Sequence, residues 1–176
     1  MAKLSHDEFR ERIGKIKLLA LDVDGVLTDD SIFFGPSGLE LKKFNISDGL
    51  FIVLAMRSGL EIAVVSGRYS PATDTRMKDL GVKHILQARK DKVKQITPLL
   101  EELKLDFDHI AFVGNEILDI SLAEKVGLSI AVADSSSELI KVVDYVTTAP
   151  GGKGAVREVL EDYFDAIGKN TRDFLV

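Results

Sequence analysis

The chain contains no cysteine. That absence excludes disulfides, zinc–thiolate centres and cysteine nucleophiles together. No apolar run approaches the roughly 20 residues needed to cross a bilayer. Met1 to Lys15 is charged and amphipathic and has no apolar signal core, so a soluble, cytoplasmic protein is expected. An excess of positive charge is missing too. The net charge of −5 argues against nucleic acid or an anionic membrane as the main partner, while leaving room for a local basic pocket. Internal repeats, low-complexity tracts and linkers are absent. What remains is 176 residues of ordinary globular composition, enough for one α/β domain over 1–176 and too few for two comfortable ones.

Periodicity divides the chain into alternating strands and helices. Ser5 to Ile13 reads as a short amphipathic helix, with Glu8 completing a capping box with Ser5. Ile16 to Leu21 reads as a buried strand broken only by Lys17. Ile32-Phe33-Phe34 and Leu39 to Phe44 flank a Gly35-Pro36-Ser37-Gly38 turn and predict a projecting hairpin over about 31–45. That hairpin is either a plain surface flap or a lid or oligomer contact. Ser47 or Asp48 is expected to cap a helix through Met56. Glu61 to Val65, His84 to Leu86, Ile110 to Val113, Leu128 to Val132 and Tyr145-Val146 supply further strands. Helices are expected over 71–80, 90–104 (kinked or delayed by Pro98), 117–126, a short stretch capped by Ser135-Ser136-Ser137, and 155–167. A polar tail over about 168–176 follows. The repeating β-α order implies a three-layer α/β/α fold around a mostly parallel, Rossmann-like sheet with right-handed crossovers.

Chemistry-bearing residues follow the apolar strands at Asp22/Asp24, Ser66, Asn115/Glu116 and, more weakly, Asp134. In a parallel sheet those loops meet at the carboxyl edge, the usual place for a site. Gly25 permits a sharp turn directly after the acidic pair. Lys92, near a helix start, is placed to reach the same edge. Carboxyl and amide oxygens, one hydroxyl and one lysine suit a phosphate bound with Mg²⁺, a cation that prefers hard oxygen ligands. A carboxylate there can attack phosphorus. The plain alternatives are an acidic loop capping a helix, a solvated lysine and a serine serving only as an N-cap.

In their order along the chain, these residues resemble a known family. Asp-Val-Asp-Gly-Val-Leu-Thr at 22–28, Ser66-Gly67-Arg68, Lys92, and Gly114-Asn115-Glu116 with Asp119 are similar to the four motifs of the haloacid dehalogenase superfamily of phosphohydrolases. Within it, the chain is similar to the small 3-deoxy-D-manno-octulosonate 8-phosphate phosphatases, which have no cap domain. The resemblance runs from about residue 15 to 163 and includes the hairpin, Phe44 to Gly49, Arg76 and the segment Gly151 to Glu158. It implies Asp22 as nucleophile and metal ligand. Asp24 would be the acid and base and would ligate through its backbone carbonyl. Ser66 and Lys92 would hold the phosphoryl group. Asn45, Ile46, Ser47, Asp48 and Gly49, with Gly67, Arg68 and Arg76, would border a sugar-acid phosphate, for which guanidinium forks are suited. The resemblance also implies an Mg²⁺ cofactor, a role in lipopolysaccharide precursor synthesis, and a homotetramer in which a neighbour's hairpin and tail close the site.

One position departs from the family pattern. The motif that usually gives the metal an aspartate has Asn115 here, beside Glu116 and with Asp119 nearby. An amide oxygen ligates Mg²⁺ without adding charge, so weaker binding is expected unless Glu116 substitutes or Asp119 assists. Two other readings share the motifs: a 2-keto-3-deoxynonulosonate 9-phosphate phosphatase, and a non-catalytic oligomerising domain of the same fold. A phospho-receiver domain is shorter, and its aspartate follows a later strand.

Overall fold

The computed structural model describes residues 3–175. Met1, Ala2 and Val176, which the single-domain reading also covers, lie outside the described residues. Helix α1 (His6–Ile13) opens on the expected capping box: the Ser5 hydroxyl accepts from the Glu8 N–H, and the Glu8 carboxylate accepts from the Ser5 N–H. Strands β1 (Leu18–Leu21), β4 (Glu61–Val65), β5 (His84–Leu86), β6 (Ile110–Gly114), β7 (Leu128–Ala131) and β8 (Tyr145–Val146) form one sheet in the order β5-β4-β1-β6-β7-β8. Every pairing in it is parallel. The hairpin strands β2 (Phe33–Phe34) and β3 (Glu40–Leu41) pair antiparallel in a separate two-stranded sheet.

Alternation along the strands sends side chains to two cores. Leu19, Leu21, Ile62 and Val64 pack under α1, α2 (Ile46–Arg57) and α7 (Ala155–Ala166). Leu18, Ala20, Ala63, Val65 and Phe112 pack under α4 (Lys92–Leu103), α5 (Ile120–Ala123) and α6 (Ser137–Val142). Helix α3 (Pro71–Asp79) adds Met77 to the first core. The result is the three-layer fold that the sequence implied. Strand β1 lies between β4 and β6: the chain runs from it to β4 and β5 on one side, then crosses back to β6, β7 and β8 on the other, and this reversal opens a crevice beyond the carboxyl end of β1.

Several boundaries differ from the sequence expectation. Asn45, not Ser47 or Asp48, caps α2, its side-chain oxygen accepting from the Ser47 and Asp48 N–H groups at 2.8 and 3.2 Å. This frees the buried Asp48 carboxylate to accept from the N–H groups of Gly154 and Arg157, so it caps α7 from a different helix. Helix α4 begins at Lys92 rather than Lys90, because Asp91 caps it, and runs on through Pro98. The helix expected over 117–126 is a 3-10 turn, Ile117–Asp119, followed by the four-residue α5. Helix α6 begins at Ser137, and the Ser136 hydroxyl does not cap it. Beyond Gly168 the tail is more than polar coil. Thr171–Phe174 makes a 3-10 turn, and the Phe174 ring lies 5.7 Å from that of Phe164.

Candidate active site

The apolar run of β1 carries the chain to the middle of the sheet edge and leaves Asp22 there. Its N–H donates to the Val113 carbonyl of β6 at 3.0 Å, which fixes the backbone. Its Oδ1 accepts from the Val23 N–H at 2.7 Å and faces Lys92 Nζ at 2.9 Å. Gly25 turns the chain at φ +82°; a Cβ there would come within 1.9 Å of Asn115 Nδ2, so the loop and Asn115 can approach only because no side chain intervenes. Thr28 Oγ1 closes the turn by accepting from the Gly25 N–H at 3.2 Å.

Lys92 enters from α4 with its side chain almost wholly buried, its ammonium between Asp22 and Asp119 Oδ1, the latter at 2.5 Å. Asp119 Oδ2 accepts from the N–H groups of Asn115 (2.8 Å) and Glu116 (3.1 Å), which pulls the loop after β6 into its tight 3-10 turn. Burial drives the Asp22 carboxyl up to about 7, against the opposing attraction of Lys92. Burial also works to lower Lys92, but the charges of Asp22 and Asp119 outweigh it and hold the ammonium above its ordinary range.

Ser66 follows β4, its N–H donating to Leu86 at 2.8 Å. The Gln95 side chain, one helical turn after Lys92, donates to the Ser66 carbonyl at 3.2 Å. Asp22, Asp24, Ser66, Arg68, Lys92 and Asn115 line a cavity of about 170 Å³, with Gly67 and Glu116 also on its wall. A larger groove of about 590 Å³ beside α7 and the tail has no buried titratable group on its walls.

The other sequence-derived candidates are placed differently. Asn45 to Gly49 and Arg76 do not line this cavity. Arg76 pairs with Asp79 at 2.9 Å and lies over Gly49, where a Cβ would meet its Nη2 at 2.4 Å. It faces a separate groove of about 480 Å³ shared with Leu39, Leu41 and Phe44 of the flap. Asp48 is turned into α7, as described above. Asp134 accepts from the Gly151 N–H at 2.9 Å and so holds the glycine-rich segment. Both Asp119 oxygens are committed, and the Glu116 side chain folds back on the Ile117 N–H. Arg68 does reach the cavity but is held by the flap: its guanidinium donates to both Glu40 oxygens, at 2.6 and 3.1 Å.

Two flap residues in this neighbourhood, Glu40 and Lys42, escaped the sequence reading. Glu40 takes the Arg68 fork and the Ser70 hydroxyl (2.6 Å), which pull its carboxyl down to about 2. Lys42 Nζ contacts Asp24 Oδ1 at 2.5 Å. The signal was the alternation of charged Glu40 and Lys42 with apolar Leu39 and Leu41, read with the charged face turned toward the body.

A sequence profile of haloacid dehalogenase-like hydrolases matches residues 81–160. The 3-deoxy-D-manno-octulosonate 8-phosphate phosphatase of Escherichia coli K12 is 45% identical over 154 residues, spanning 88% of this chain and 82% of that protein. The crystal structure of the phosphatase of the same name from Moraxella catarrhalis, in complex with magnesium, phosphate and the octulosonate, superposes with a TM-score of 0.90. It is 36% identical, and the match covers 96% of this chain and 97% of that one. The cobalt-bound form of the Haemophilus influenzae phosphatase gives 0.87 at 33% identity, covering 94% and 96%.

Proposed function

This chain belongs to the haloacid dehalogenase-like hydrolases, and from that premise we propose that it hydrolyses 3-deoxy-D-manno-octulosonate 8-phosphate. The observation that carries this reading is the Asp22–Lys92–Asp119 array beside Ser66 at the mouth of β1. Asp22 Oδ1 is occupied by Lys92 and the Val23 N–H, which leaves Oδ2 as the oxygen to attack phosphorus. As the P–O bond to the sugar breaks, Asp24 gives its proton to the leaving alkoxide. It then takes a proton from the water that cleaves the aspartyl-phosphate. The Ser66 hydroxyl and the Lys92 ammonium hold the phosphoryl oxygens through both steps. Arg68 faces the substrate from the cavity wall, whereas Arg76 and the Asn45–Gly49 turn at the start of α2 lie outside that cavity and would meet only a part of the sugar acid that extends beyond it.

The donor set suits Mg²⁺. Asn115 Oδ1 is buried without a hydrogen-bond partner among the described residues, and Asn115 lines the same cavity as Asp22. Asp22, Asn115 and the Asp24 backbone carbonyl would hold the ion, all through hard oxygens. No group of three or more histidine or acidic side chains that could hold a metal is found among the described residues, so an amide and a carbonyl have to complete the shell. When bound, the cation neutralises phosphate charge and draws the ester toward Asp22.

The flap supports assembly. Glu40 and Lys42 point inward, and Phe33, Phe34, Leu39 and Leu41 are more than half exposed, with Ile46 and Leu50 also exposed. An apolar face of this kind is stable in water when another surface covers it, and a homotetramer of this chain supplies that surface. The activity assigns the protein to the cytoplasmic synthesis of lipopolysaccharide precursors.

The test is phosphate release from a panel of sugar phosphates with Mg²⁺ or with chelator, alongside Asp22→Asn. Metal-dependent release of the octulosonate phosphate, lost in Asp22→Asn, is the expected result. Faster release from the nonulosonate 9-phosphate reassigns the substrate. No release from any ester leaves the non-catalytic oligomerising domain standing.

A further inference from the structure

Lys42 follows β3 at the base of the flap, and its side chain has no exposed surface. An ammonium group taken out of water loses hydration that only charged or hydrogen-bonding partners replace. Its partners here are Asp24 Oδ1 at 2.5 Å, Thr73 Oγ1 at 3.4 Å and, more distantly, Glu40 Oε1 at 4.0 Å. Glu40 already accepts from two Arg68 nitrogens and the Ser70 hydroxyl. Lys42 is therefore spent on Asp24. The Asp24 carboxylate is 24% exposed and lines the cavity, with Arg68 Nε 3.6 Å from its Oδ2. Without Lys42, Arg68 is the one cation left beside Asp24 among the described residues, and it faces the other carboxylate oxygen.

We propose that Lys42 is a positioning residue: it clamps Oδ1 of Asp24 so that Oδ2 faces the oxygen leaving phosphorus. The inference rests on the phosphatase reading. In that reaction a bond forms between an Asp22 oxygen and phosphorus, the ester P–O bond breaks, and the Asp24 proton passes to the departing oxygen. Proton transfer of this kind needs hydrogen-bond reach between donor and acceptor, so the rotamer of Asp24 controls it. The flap then does more than cover the site. It delivers, from the same chain, the group that aims the acid.

A merely structural Lys42 and a positioning one differ in how their loss depends on the leaving group. A strongly acidic phenol departs without a proton; a weakly acidic one needs it. The experiment compares wild type, Lys42→Met and Lys42→Arg on Mg²⁺-loaded protein with a series of substituted phenyl phosphates. The readout is log kcat/KM against the acidity of the departing phenol. Lys42→Met is expected to lose about 100-fold on phenyl phosphate and only a few-fold on dinitrophenyl phosphate, within the range of general acid catalysis. Lys42→Arg, which keeps a cation, is expected to recover part of that steepened slope. A uniform loss across the series makes Lys42 a flap anchor and overturns the proposal, as does no loss. If Lys42→Met does not fold, Lys42→Arg decides by the same plot: a steeper line supports positioning and a parallel line overturns it. Wild-type protein that releases phosphate from none of the esters sinks the phosphatase reading itself, and this inference with it.

Discussion

At the scale of single residues, the site is a set of charges whose burial makes each depend on the next. Asn115 is the position where this chain departs from the family pattern, and its Oδ1 is buried with no partner among the described residues. A carboxylate there adds a charge to the cavity that Asp22 also lines, and burial has already pushed the Asp22 carboxyl up to about 7. In Asn115→Asp the metal-free protein is therefore expected to melt lower than wild type, through like-charge repulsion. Mg²⁺ is expected to restore it and to bind roughly tenfold more tightly, about 1.4 kcal/mol. Calorimetric titration with Mg²⁺ and paired melting curves measure both. An unchanged affinity removes Asn115 from the metal shell. The sequence carried this residue and its neighbours clearly, because an acidic pair, a serine and a lysine after apolar strands are visible as letters. It did not carry the choice between Asn115, Glu116 and Asp119. That choice depends on which oxygens the backbone N–H groups of a tight turn have already taken.

At the scale of elements, long periodic segments were legible and short ones were not. Strands such as β4 and β6 are buried along nearly their whole length, so an apolar run identifies them. The two-residue strands β2 and β3 offer only the brief alternation of Leu39 to Lys42, and Glu40 and Lys42 acquire their roles only when the flap folds onto the body. The cap of α2 was misplaced by two or three residues for a related reason. Asn45, Ser47 and Asp48 are all competent caps, and Asp48 is drawn off by α7, a contact more than a hundred residues away in sequence. The Glu40–Arg68 pair gives the flap a pH dependence whose sign is fixed. Arg68 and Ser70 depress Glu40 from 4.5 to about 2, so its contribution is complete above about 4.5 and is lost as pH falls through about 2. Wild type is therefore expected to lose more stability to denaturant than Glu40→Gln as pH drops across that window. Parallel losses in the two proteins would remove this pair as the flap's acid-sensitive anchor.

At the scale of the whole molecule, the flap inverts the usual pattern, with charge facing the body and aromatic rings facing water. Phe34 is 73% exposed and Phe33 54%. Burying such rings against another copy contributes on the order of 25 cal/mol per Å² of apolar surface, which is the energetic ground for the proposed assembly. This is also where sequence reading alone stopped. A hairpin of Phe, Ile and Leu looks the same whether it faces its own core or a neighbour, and only the separate two-stranded sheet shows that it packs its charges inward. Phe33→Glu/Phe34→Glu places four new carboxylates in any pair of facing flaps and leaves Lys42 and the six-stranded sheet as they are, although Phe34 pairs with Glu40 across the hairpin. The double variant is expected to run as a smaller species by light scattering, with an unchanged far-ultraviolet spectrum. In the proposed tetramer, where a neighbour closes each site, its turnover per chain is expected to fall as well. A variant that stays the size of wild type shows that this face is not the contact. One that dissociates at full activity shows that a single chain holds everything the reaction requires.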